Sequence, residues 1–534
     1  MRTPVEVWNN LKAGIRKEWK TAFLTVFILG LLIHFPVMAG DFPNHDGLAS
    51  MYFDQNMITS GRWFLMIACG FSSYFALPWV IGLFSLFFLG IGAAALTEFL
   101  EIKNELGVML LSGLLVGFPA LASTYAYIFT ADGYMLALCL VFFSVLLTKK
   151  WEWGFLPGGI CLAFSMGTYQ SYLSFAILLS IYGCLMILMG ESPAMKKLKN
   201  ILHYLYMGLI GVGLYYVILQ ILLKIQGKEL DTYQGINGMA SGSGLSLVEK
   251  LQNIYGDFLA FTGKGNVLYN NVISFAAFGL IMAAALVLLV RLVTRRGYYR
   301  KWYFYLIFLL TVLLIPPAFN VILLISPDVT YHLLMRYQWC LIPILGLAFL
   351  LRYGFLQTEL SGQFSPLHRR DTGALKKPSV ICNILLQWAV LVSSLVLLLH
   401  YGVTDNIAYS NLQKKYEKTY AYCLRLADRM EQTKGYYTGM PVAMIGVQNK
   451  ENLPETDITG AVTGNMIGMT GDYLVYTDTN YQAFMKHYLG VTINLVPDEE
   501  MERIYATKEY QELNSFPQEG SMKVVDGVLY IKTE

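Results

Sequence analysis

Residues 21–38 read TAFLTVFILGLLIHFPVM, an apolar run that contains no Asp, Glu, Lys or Arg. Its length is close to the roughly 20 residues that cross a bilayer as an α-helix. No small-residue cleavage site separates the run from the polar loop that follows. The run follows a cluster of basic residues at Lys12, Arg16, Lys17 and Lys20. We therefore expect an uncleaved signal anchor, a first membrane helix that stays in the protein.

The composition of the chain repeats this pattern on a larger scale. Of 534 residues, 55% are hydrophobic and only 14% are charged, and the mean hydropathy is +0.49. Such a chain is too apolar and too long for one soluble core, so we predict a polytopic membrane protein. Its apolar helices are expected to contact the lipid bilayer. The net charge of +3 is small and its basic residues lie in short loops, so no nucleic-acid partner is indicated.

Further apolar spans follow the first one. They lie near residues 77–99, 106–124, 133–148, 154–170, 172–190, 201–223, 270–290, 302–325, 334–355 and 380–402. Together they predict an α-helical protein with about eleven transmembrane helices.

Loops with clustered Lys and Arg alternate along the chain with loops that have no such cluster. The basic ones are the N-terminus, Lys103, Lys149–Lys150, Lys196–Lys199, Arg291–Lys301 and Arg352–Lys377. The positive-inside rule then puts the N-terminus in the cytoplasm. The segments predicted to face outward are the acidic loop 39–62, the loop 224–269, the turns near Asp132, Tyr169 and Asp328, and everything after residue 403.

The chain changes character after residue 402. Residues 403–534 are polar and contain no spanning segment, so we expect a membrane domain at 1–402 and a small extracytoplasmic α/β domain at 403–534. Its role is open between packing and acceptor docking. The predicted elements are an amphipathic helix ending near Gly435, strands at 442–446 and 491–496, a helix beginning at Asp498, and a hairpin turn at Asp526-Gly527.

Cysteine and histidine spacing gives no sign of a zinc site or a disulfide framework. The chain has no Cys-x-x-Cys and no His-x-x-x-His pair, and of its seven cysteines only Cys423 falls in the predicted outer domain. No cofactor is therefore predicted. A Mg²⁺ or Mn²⁺ ion held by carboxylates stays open, because such sites need only a few oxygen ligands.

The acidic loop 39–62 is the strongest candidate for chemistry. A carboxylate at a membrane edge is placed to act as general base on an acceptor hydroxyl, while a cation pairs with the phosphate of a lipid-linked donor. Asp46 has an alternative role as a helix cap, since helical spacing follows it. Asp41 is either a second base or a solvated loop residue, and His45 is either a hydrogen-bonded loop residue or a positive charge near the donor phosphate.

Other polar residues at the predicted outer edge have two interpretations each. Arg62 either binds the donor phosphate or anchors the interface together with Trp63. Tyr169 and Gln170 either line a sugar-binding cavity or make helix–helix hydrogen bonds. Asp132 is either a helix cap or a sugar- or acceptor-binding group.

Arg336 lies at the outer end of an apolar span, where an unpaired cation is costly. It needs an anionic partner, such as a donor phosphate, or has to reach the interface. His332 nearby is grouped with the sugar- or acceptor-binding residues. Lys264 is flanked by glycines and is either a phosphate ligand or part of an exposed turn. The glycine-rich run 235–244 indicates a mobile outer loop.

Three motifs give the chain a family resemblance. They are Asn44-His45-Asp46-Gly47 with Gly61-Arg62-Trp63, Ser123-Thr-Tyr125-Ala-Tyr127 ahead of Asp132, and Ser165-Met-Gly167-Thr-Tyr169-Gln170-Ser171-Tyr172. On these residues the membrane part resembles the bacterial Gtr type II glucosyltransferases, which add glucosyl branches to O-antigen and related cell-surface polymers. The resemblance does not extend to the predicted outer domain.

The resemblance implies a GT-C-type fold in the bacterial cytoplasmic membrane, a polyprenyl-phosphate-linked sugar, glucose, as donor, and a cell-surface glycan as acceptor. The second acid of the family's first-loop motif falls on Asp46, which is therefore the expected base, with Asp41 in reserve and Asn44 beside them as a sugar or acceptor contact. The family often has paired acids where this chain has His45-Asp46.

Two functions of other classes stay open. A flippase or transporter of lipid-linked sugars would be equally apolar, but charged residues are nearly absent from the middle of the spans and no two-half repeat is visible. A membrane scaffold that binds a partner through its outer domain would not depend on Asp46.

Overall fold

The computed structural model describes residues 3–49, 54–231, 246–264, 267–327, 329–353, 378–445, 474–475 and 477–533. Most of these residues are helical. The α-helices are Pro4–Gly14 (α1), Lys17–Ala39 (α2), His45–Ala49 (α3), Leu65–Cys69 (α4), Pro78–Leu100 (α5), Glu105–Val116 (α6), Ala120–Tyr125 (α7), Ala131–Lys150 (α8), Phe155–Thr168 (α9), Leu173–Met189 (α10), Ala194–Gln226 (α11), Leu247–Lys264 (α12), Val272–Arg295 (α13), Trp302–Phe319 (α14), Val321–Ile325 (α15), Leu341–Tyr353 (α16), Pro378–Gln432 (α17), Asp478–Phe484 (α18), Asp498–Tyr505 (α19) and Lys508–Gln511 (α20).

The number of full membrane spans differs from the predicted eleven. In the described part of the chain, nine helices are long and apolar enough to cross a membrane, so the protein is a multi-pass membrane protein. Two further predicted spans correspond to α6 and α9, which have 12 and 14 residues. At 1.5 Å per residue they reach only about 18–21 Å, short of the roughly 30 Å hydrocarbon core.

Both short helices end where the backbone leaves the helical path. The sequence Gly117-Phe118-Pro119 separates α6 from α7, and Pro119 has no N–H with which to continue the hydrogen-bond ladder. After α9, Tyr169 takes an extended conformation with φ −154° and ψ 105°. Averaging hydropathy over a window of residues does not detect the end of either helix, because the residues on both sides of it are apolar.

The basic helix ends lie together at one end of the helical bundle. Arg16 pairs with Glu98 at 3.0 Å, while Lys149 and Arg352 pair with Glu101 at 2.7 and 2.9 Å. These residues stand at the beginning of α2 and at the ends of α5, α8 and α16. Loops that the positive-inside rule assigns to one side therefore do share one end of the molecule.

The predicted outer loops meet at the opposite end. The Gln170 amide donates to the Ser60 carbonyl at 3.0 Å, and the Asp231 N–H donates to the Thr59 carbonyl at 2.9 Å. The Ser72 hydroxyl donates to Asp132. We call this end of the bundle, with residues 41–49, 54–73, 131–134, 169–172 and 331–336, the loop end.

The last long helix joins the bundle to a small α/β unit. Helix α17 has 55 residues, about 80 Å of continuous helix, and the domain boundary expected at 402/403 falls inside it. Its C-terminal half packs on a four-stranded sheet of order β2-β1-β4-β3. The strands are Pro441–Ile445 (β1), Asn494–Leu495 (β2), Met522–Val525 (β3) and Val528–Lys532 (β4).

The sheet confirms the predicted hairpin and shortens one predicted strand. Antiparallel β3 and β4 are joined at Asp526-Gly527, whose φ angles of +48° and +80° suit a two-residue hairpin turn. Strand β1 pairs in parallel with β2 and β4. The expected strand 491–496 contributes only Asn494 and Leu495. Helix α17 ends at Gln432, close to the expected end near Gly435.

Candidate functional site

Asp46 lies on the short helix α3, and Asn44 caps that helix. The side-chain oxygen of Asn44 accepts the Gly47 N–H at 2.7 Å, which satisfies one of the backbone donors left open at a helix start. Asp46 stands in the first turn and is exposed. The N-cap position of α3 is thus taken by Asn44, and Asp46 lies two residues farther along, within the helix. The His45 side chain lies outside the described residues.

Asn44 has little capacity left for a sugar. Its side chain is fully buried and its oxygen is engaged by Gly47. In the described part of the chain its Nδ2 has no hydrogen-bond partner. Any contact with a sugar or acceptor would therefore have to use this one amide nitrogen.

Asp41 faces the C-terminal unit. The Tyr488 hydroxyl donates a hydrogen bond to Asp41 Oδ2 at 3.3 Å. Asp41 remains exposed as a whole residue, but partial burial of its carboxyl raises the pKa above the ordinary value of 3.8, an effect that the Tyr488 bond opposes. Its surroundings therefore differ from those of Asp46.

Arg62 lies in an aromatic pocket at the loop end. Its guanidinium donates to the Tyr134 hydroxyl at 3.2 Å and lies 5.4 Å from the centre of the Tyr169 ring. The two tyrosine rings stack with centroids 4.3 Å apart. The charges of Arg62 and, more weakly, of the exposed Asp46 carboxylate both lie within electrostatic range of the Tyr134 phenol.

Trp63 does not behave as an interfacial anchor. Its side chain is buried and packs against Phe164, with ring centroids 5.3 Å apart. A Cβ atom on Gly167 would come within 2.5 Å of the indole ring, so this glycine is needed for the close approach. The packing fixes the chain next to Arg62 within the protein fold.

Gln170 supports the turn that precedes Arg62. Its Nε2 donates to the Ser60 carbonyl at 3.0 Å and to the Tyr215 hydroxyl at 3.2 Å, and Tyr215 donates to the Gly61 carbonyl at 3.2 Å. These bonds agree with the helix–helix alternative. Tyr169 is different: it is buried, and its hydroxyl has no hydrogen-bond partner in the part of the chain that the structure describes.

Asp132 is used inside the protein. It is fully buried, accepts a hydrogen bond from the Ser72 hydroxyl, and accepts the Gly133 N–H at 2.8 Å. The carboxylate thus joins the first turn of α8 to the segment after α4. This arrangement agrees with the capping alternative.

The anionic partner of Arg336 is another residue of the chain, Asp257. The two terminal nitrogens of Arg336 donate to the two carboxylate oxygens of Asp257 at 2.7 Å each, which makes a bidentate ion pair. The Arg336 side chain is buried. The guanidinium also stacks on Tyr331, 3.7 Å from the ring centre. Asp257 lies on α12, which the sequence did not connect with Arg336.

The remaining predicted groups add little at this end. His332 is half-buried, and its carbonyl accepts the Met335 N–H at 3.0 Å. The Lys264 side chain, Asp328 and the glycine-rich run 235–244 lie outside the described residues. Within the described ranges, no three His, Cys, Asp or Glu side chains come together in a group that could hold a metal ion.

One protein-family model matches the region of the chain that contains this site. The family model described as Glucosyl transferase GtrII matches residues 20–338, more than half of the 534-residue chain. The chain belongs to the GtrII glucosyl transferase family. No curated protein matches it. The resemblance inferred from the sequence motifs is thereby confirmed.

The GtrII match includes the whole candidate site and stops before the C-terminal unit. It contains Asp46, Arg62, Tyr134, Tyr169 and the Arg336 pair. Membership in this family identifies the protein as a membrane glucosyltransferase. Residues 339–534 lie beyond the match, so the family says nothing about the α/β unit.

Sequence reasoning missed four partners in this GtrII site. Tyr134, Tyr215, Ser72 and Asp257 come from different helices and carry no motif. Tyr134 follows Asp132 by two residues in a predicted helix start, so its proximity to that candidate was a usable signal. The other three are set by contacts between distant parts of the chain.

Proposed function

We propose that this GtrII-family protein transfers glucose from a polyprenyl-phosphate donor to a hydroxyl of a cell-surface glycan. The lipid tail of such a donor stays in the bilayer and its phosphate lies at the headgroup level. The reacting groups must therefore project from loops and helix ends at one end of the bundle. The observation that carries the proposal is the cluster of Arg62, Tyr134 and Tyr169 at such an end, within electrostatic range of the Asp46 carboxylate.

In the proposed transfer, Asp46 accepts the proton of the acceptor hydroxyl, with Asp41 as the reserve base. The hydroxyl oxygen forms a bond to the anomeric carbon of the sugar, and the bond from that carbon to the phosphate oxygen breaks. The electron pair leaves with the polyprenyl phosphate, and Arg62 pairs with its negative charge.

The aromatic pair supplies the sugar contact. Tyr169 offers a buried hydroxyl without a hydrogen-bond partner in the described chain, and its ring stacks on Tyr134. Arg336 contributes to phosphate binding only if the phosphate replaces the Asp257 carboxylate. We assign Gln170 and Asp132 to holding the site in shape, because their side chains are bonded within the protein.

We place this reaction on the outer face of the bacterial cytoplasmic membrane, in a fold of the GT-C type. The N-terminus then lies in the cytoplasm, and the C-terminal unit lies outside. The acidic loop and the C-terminal unit share the loop end, where Asp41 contacts Tyr488.

The decisive test replaces Asp46 with asparagine. Asp46→Asn keeps the size of the side chain and removes the base, so we expect glucose transfer to fall at least about 100-fold. The measurement is transfer by purified protein in vesicles that contain polyprenyl-phosphate glucose. Asp54→Asn is the matched control, because Asp54 is an exposed carboxylate of the same loop and accepts the Asn56 N–H at 3.1 Å.

Normal transfer by Asp46→Asn would exclude Asp46 as the base. Movement of the lipid-linked sugar across the vesicle membrane without transfer would support the flippase instead. The same assay with and without a chelator decides whether a divalent cation takes part.

A further inference from the structure

The side chain of Leu48 belongs to a different hydrophobic core from the rest of its loop. Leu48 is fully buried, two residues after Asp46. It packs into the core of the C-terminal unit, which is formed by α17, α18 and the sheet, and not into the core of the membrane helices. An apolar side chain of the candidate active-site loop thus lies in the α/β unit.

Contacts on the other side of Asp46 repeat this attachment. Asp41 accepts the Tyr488 hydroxyl at 3.3 Å, and the Phe42 ring lies 5.7 Å from the ring of Tyr416. Helix α3 packs against α18. The loop is therefore held by the C-terminal unit both before and after Asp46.

Helix α3, described over His45–Ala49, takes its position from contacts outside itself. In proteins most helical stability comes from the packing of an apolar face on the rest of the fold. The Asn44 cap sets where the helix begins but does not set how it lies on the protein. Burial of Leu48 supplies the missing constraint, because a hydrophobic contact favours the one arrangement that removes this side chain from water.

We propose that the C-terminal unit positions the catalytic loop, and that Leu48 is the positioning residue through which it acts. This inference rests on the proposed role of Asp46. The proposed role of the α/β unit in the transfer is to hold the general base at the level of the donor phosphate. Small misplacements of catalytic groups are costly, with losses on the order of 100-fold for a shift of about 1 Å.

The test compares three variants of the full-length protein in the same vesicles. Leu48→Ala removes the anchor, and we expect kcat to fall about tenfold or more while the KM for the donor stays within about twofold. Leu48→Met keeps the side-chain volume and should restore most of the rate. Leu529→Ala is the matched control, because Leu529 is an equally buried leucine of the same core on β4.

A second readout does not depend on activity. Amide hydrogen exchange of residues 41–49 should become faster in Leu48→Ala and remain as in the wild type in Leu529→Ala. Faster exchange together with a selective loss of kcat supports the proposal. Equal losses of kcat in the two alanine variants, or unchanged exchange of residues 41–49 in Leu48→Ala, would overturn it.

The two proposals fail in different ways. If Asp46→Asn retains transfer, the assignment of the base is wrong, whereas the exchange measurement still shows whether Leu48 holds the loop. If Asp46→Asn is inactive and Leu48→Ala behaves as Leu529→Ala does, the base stands and the positioning role is excluded.

Discussion

Asn44 and Asp46 stand two residues apart and perform separate tasks. The buried amide of Asn44 accepts a backbone N–H of α3, whereas the exposed carboxylate of Asp46 lies in the first turn. A negative charge is also favoured at a helix start, where backbone N–H groups point toward it. The capping of α3 therefore falls to Asn44, and the proposed role of Asp46 as the base does not conflict with it.

Asp41 provides a prediction about pH. Because partial burial raises its pKa, the folded protein holds this proton more tightly than the unfolded chain does. Stability therefore falls as the pH rises from the ordinary value of 3.8 through the raised one, and the ionised carboxyl destabilises the fold at neutral pH. Asp41→Asn should thus stabilise the protein near neutral pH, by no more than about 0.5 kcal/mol, because the residue is exposed.

The measurement for Asp41→Asn is the thermal unfolding midpoint of both proteins across a pH series. The advantage of the variant should disappear below the ordinary Asp pKa of 3.8, where the wild-type carboxyl is also uncharged. An advantage that persists there, or a variant that is less stable at neutral pH, would contradict this account of Asp41.

At the scale of elements, the turn before Arg62 depends on Gly61. This residue has φ +76°, and two side chains close over it: Gln170 from the segment between α9 and α10, and Tyr215 from α11. A Cβ atom would come within 2.5 Å of Gln170 Nε2 and 2.6 Å of the Tyr215 hydroxyl. The turn therefore fits only a residue without a side chain, and its shape determines where the Arg62 guanidinium points.

Gly61→Ala tests this element. Left-handed backbone and crowding together should lower stability by about 1–3 kcal/mol and displace Arg62, so the KM for the donor should rise. Unfolding midpoints and transfer kinetics measure the two effects. Gly227→Ala is the control, because Gly227 has a similar φ of +61° at the end of α11 with no atom near its Cβ position. Equal effects on donor KM would show that crowding at residue 61 does not matter.

The amphipathic helix α12 is a second element with a defined attachment. Asp257 on this helix binds Arg336 at 2.7 Å, and its Phe261 ring also lies against the same guanidinium, at 4.7 Å. Exposed leucines such as Leu247 and Leu259 occupy its other faces, as expected for a helix at a membrane interface. The ion pair thus joins α12 to the segment before α16.

At the scale of the whole molecule, two ends of the bundle carry different chemistry. Ion pairs between basic residues and Glu98 or Glu101 occupy one end, and the candidate site with the α/β unit occupies the other. Helix α17 runs from the bundle into the α/β unit without a break. A continuous helix is a stiff connection, which suits a unit that has to hold a loop in place.

The proposed orientation predicts which positions a membrane-impermeant maleimide reaches. Glu499 on α19 and Lys12 on α1 are both exposed. In spheroplasts, Glu499→Cys should be labelled directly, whereas Lys12→Cys should be labelled only after permeabilisation. The described native cysteines are buried or half-buried, so the wild type serves as the background control. Direct labelling of Lys12→Cys would reverse the orientation.

Much of the architecture follows from local patterns in the sequence. Apolar runs predict where helices cross the membrane, because any apolar segment long enough to span the bilayer is stable there as a helix. The positions of Lys and Arg in the loops predict which helix ends share one side of the protein. The dipeptide Asp526-Gly527 predicts a hairpin because these residues suit a two-residue turn. The acidic loop also identifies the family through a few adjacent residues. These features need no knowledge of distant partners.

The tertiary structure alone decided which partners the polar and apolar groups of the site take. Arg336 pairs with Asp257, which lies 79 residues earlier, although the need for some anion was visible in the sequence. Two membrane spans became short helices at Gly117-Phe118-Pro119 and Tyr169. Leu48 joined the core of a unit more than 300 residues away. Local patterns state what a side chain requires, but packing over the whole chain determines which distant group meets that requirement.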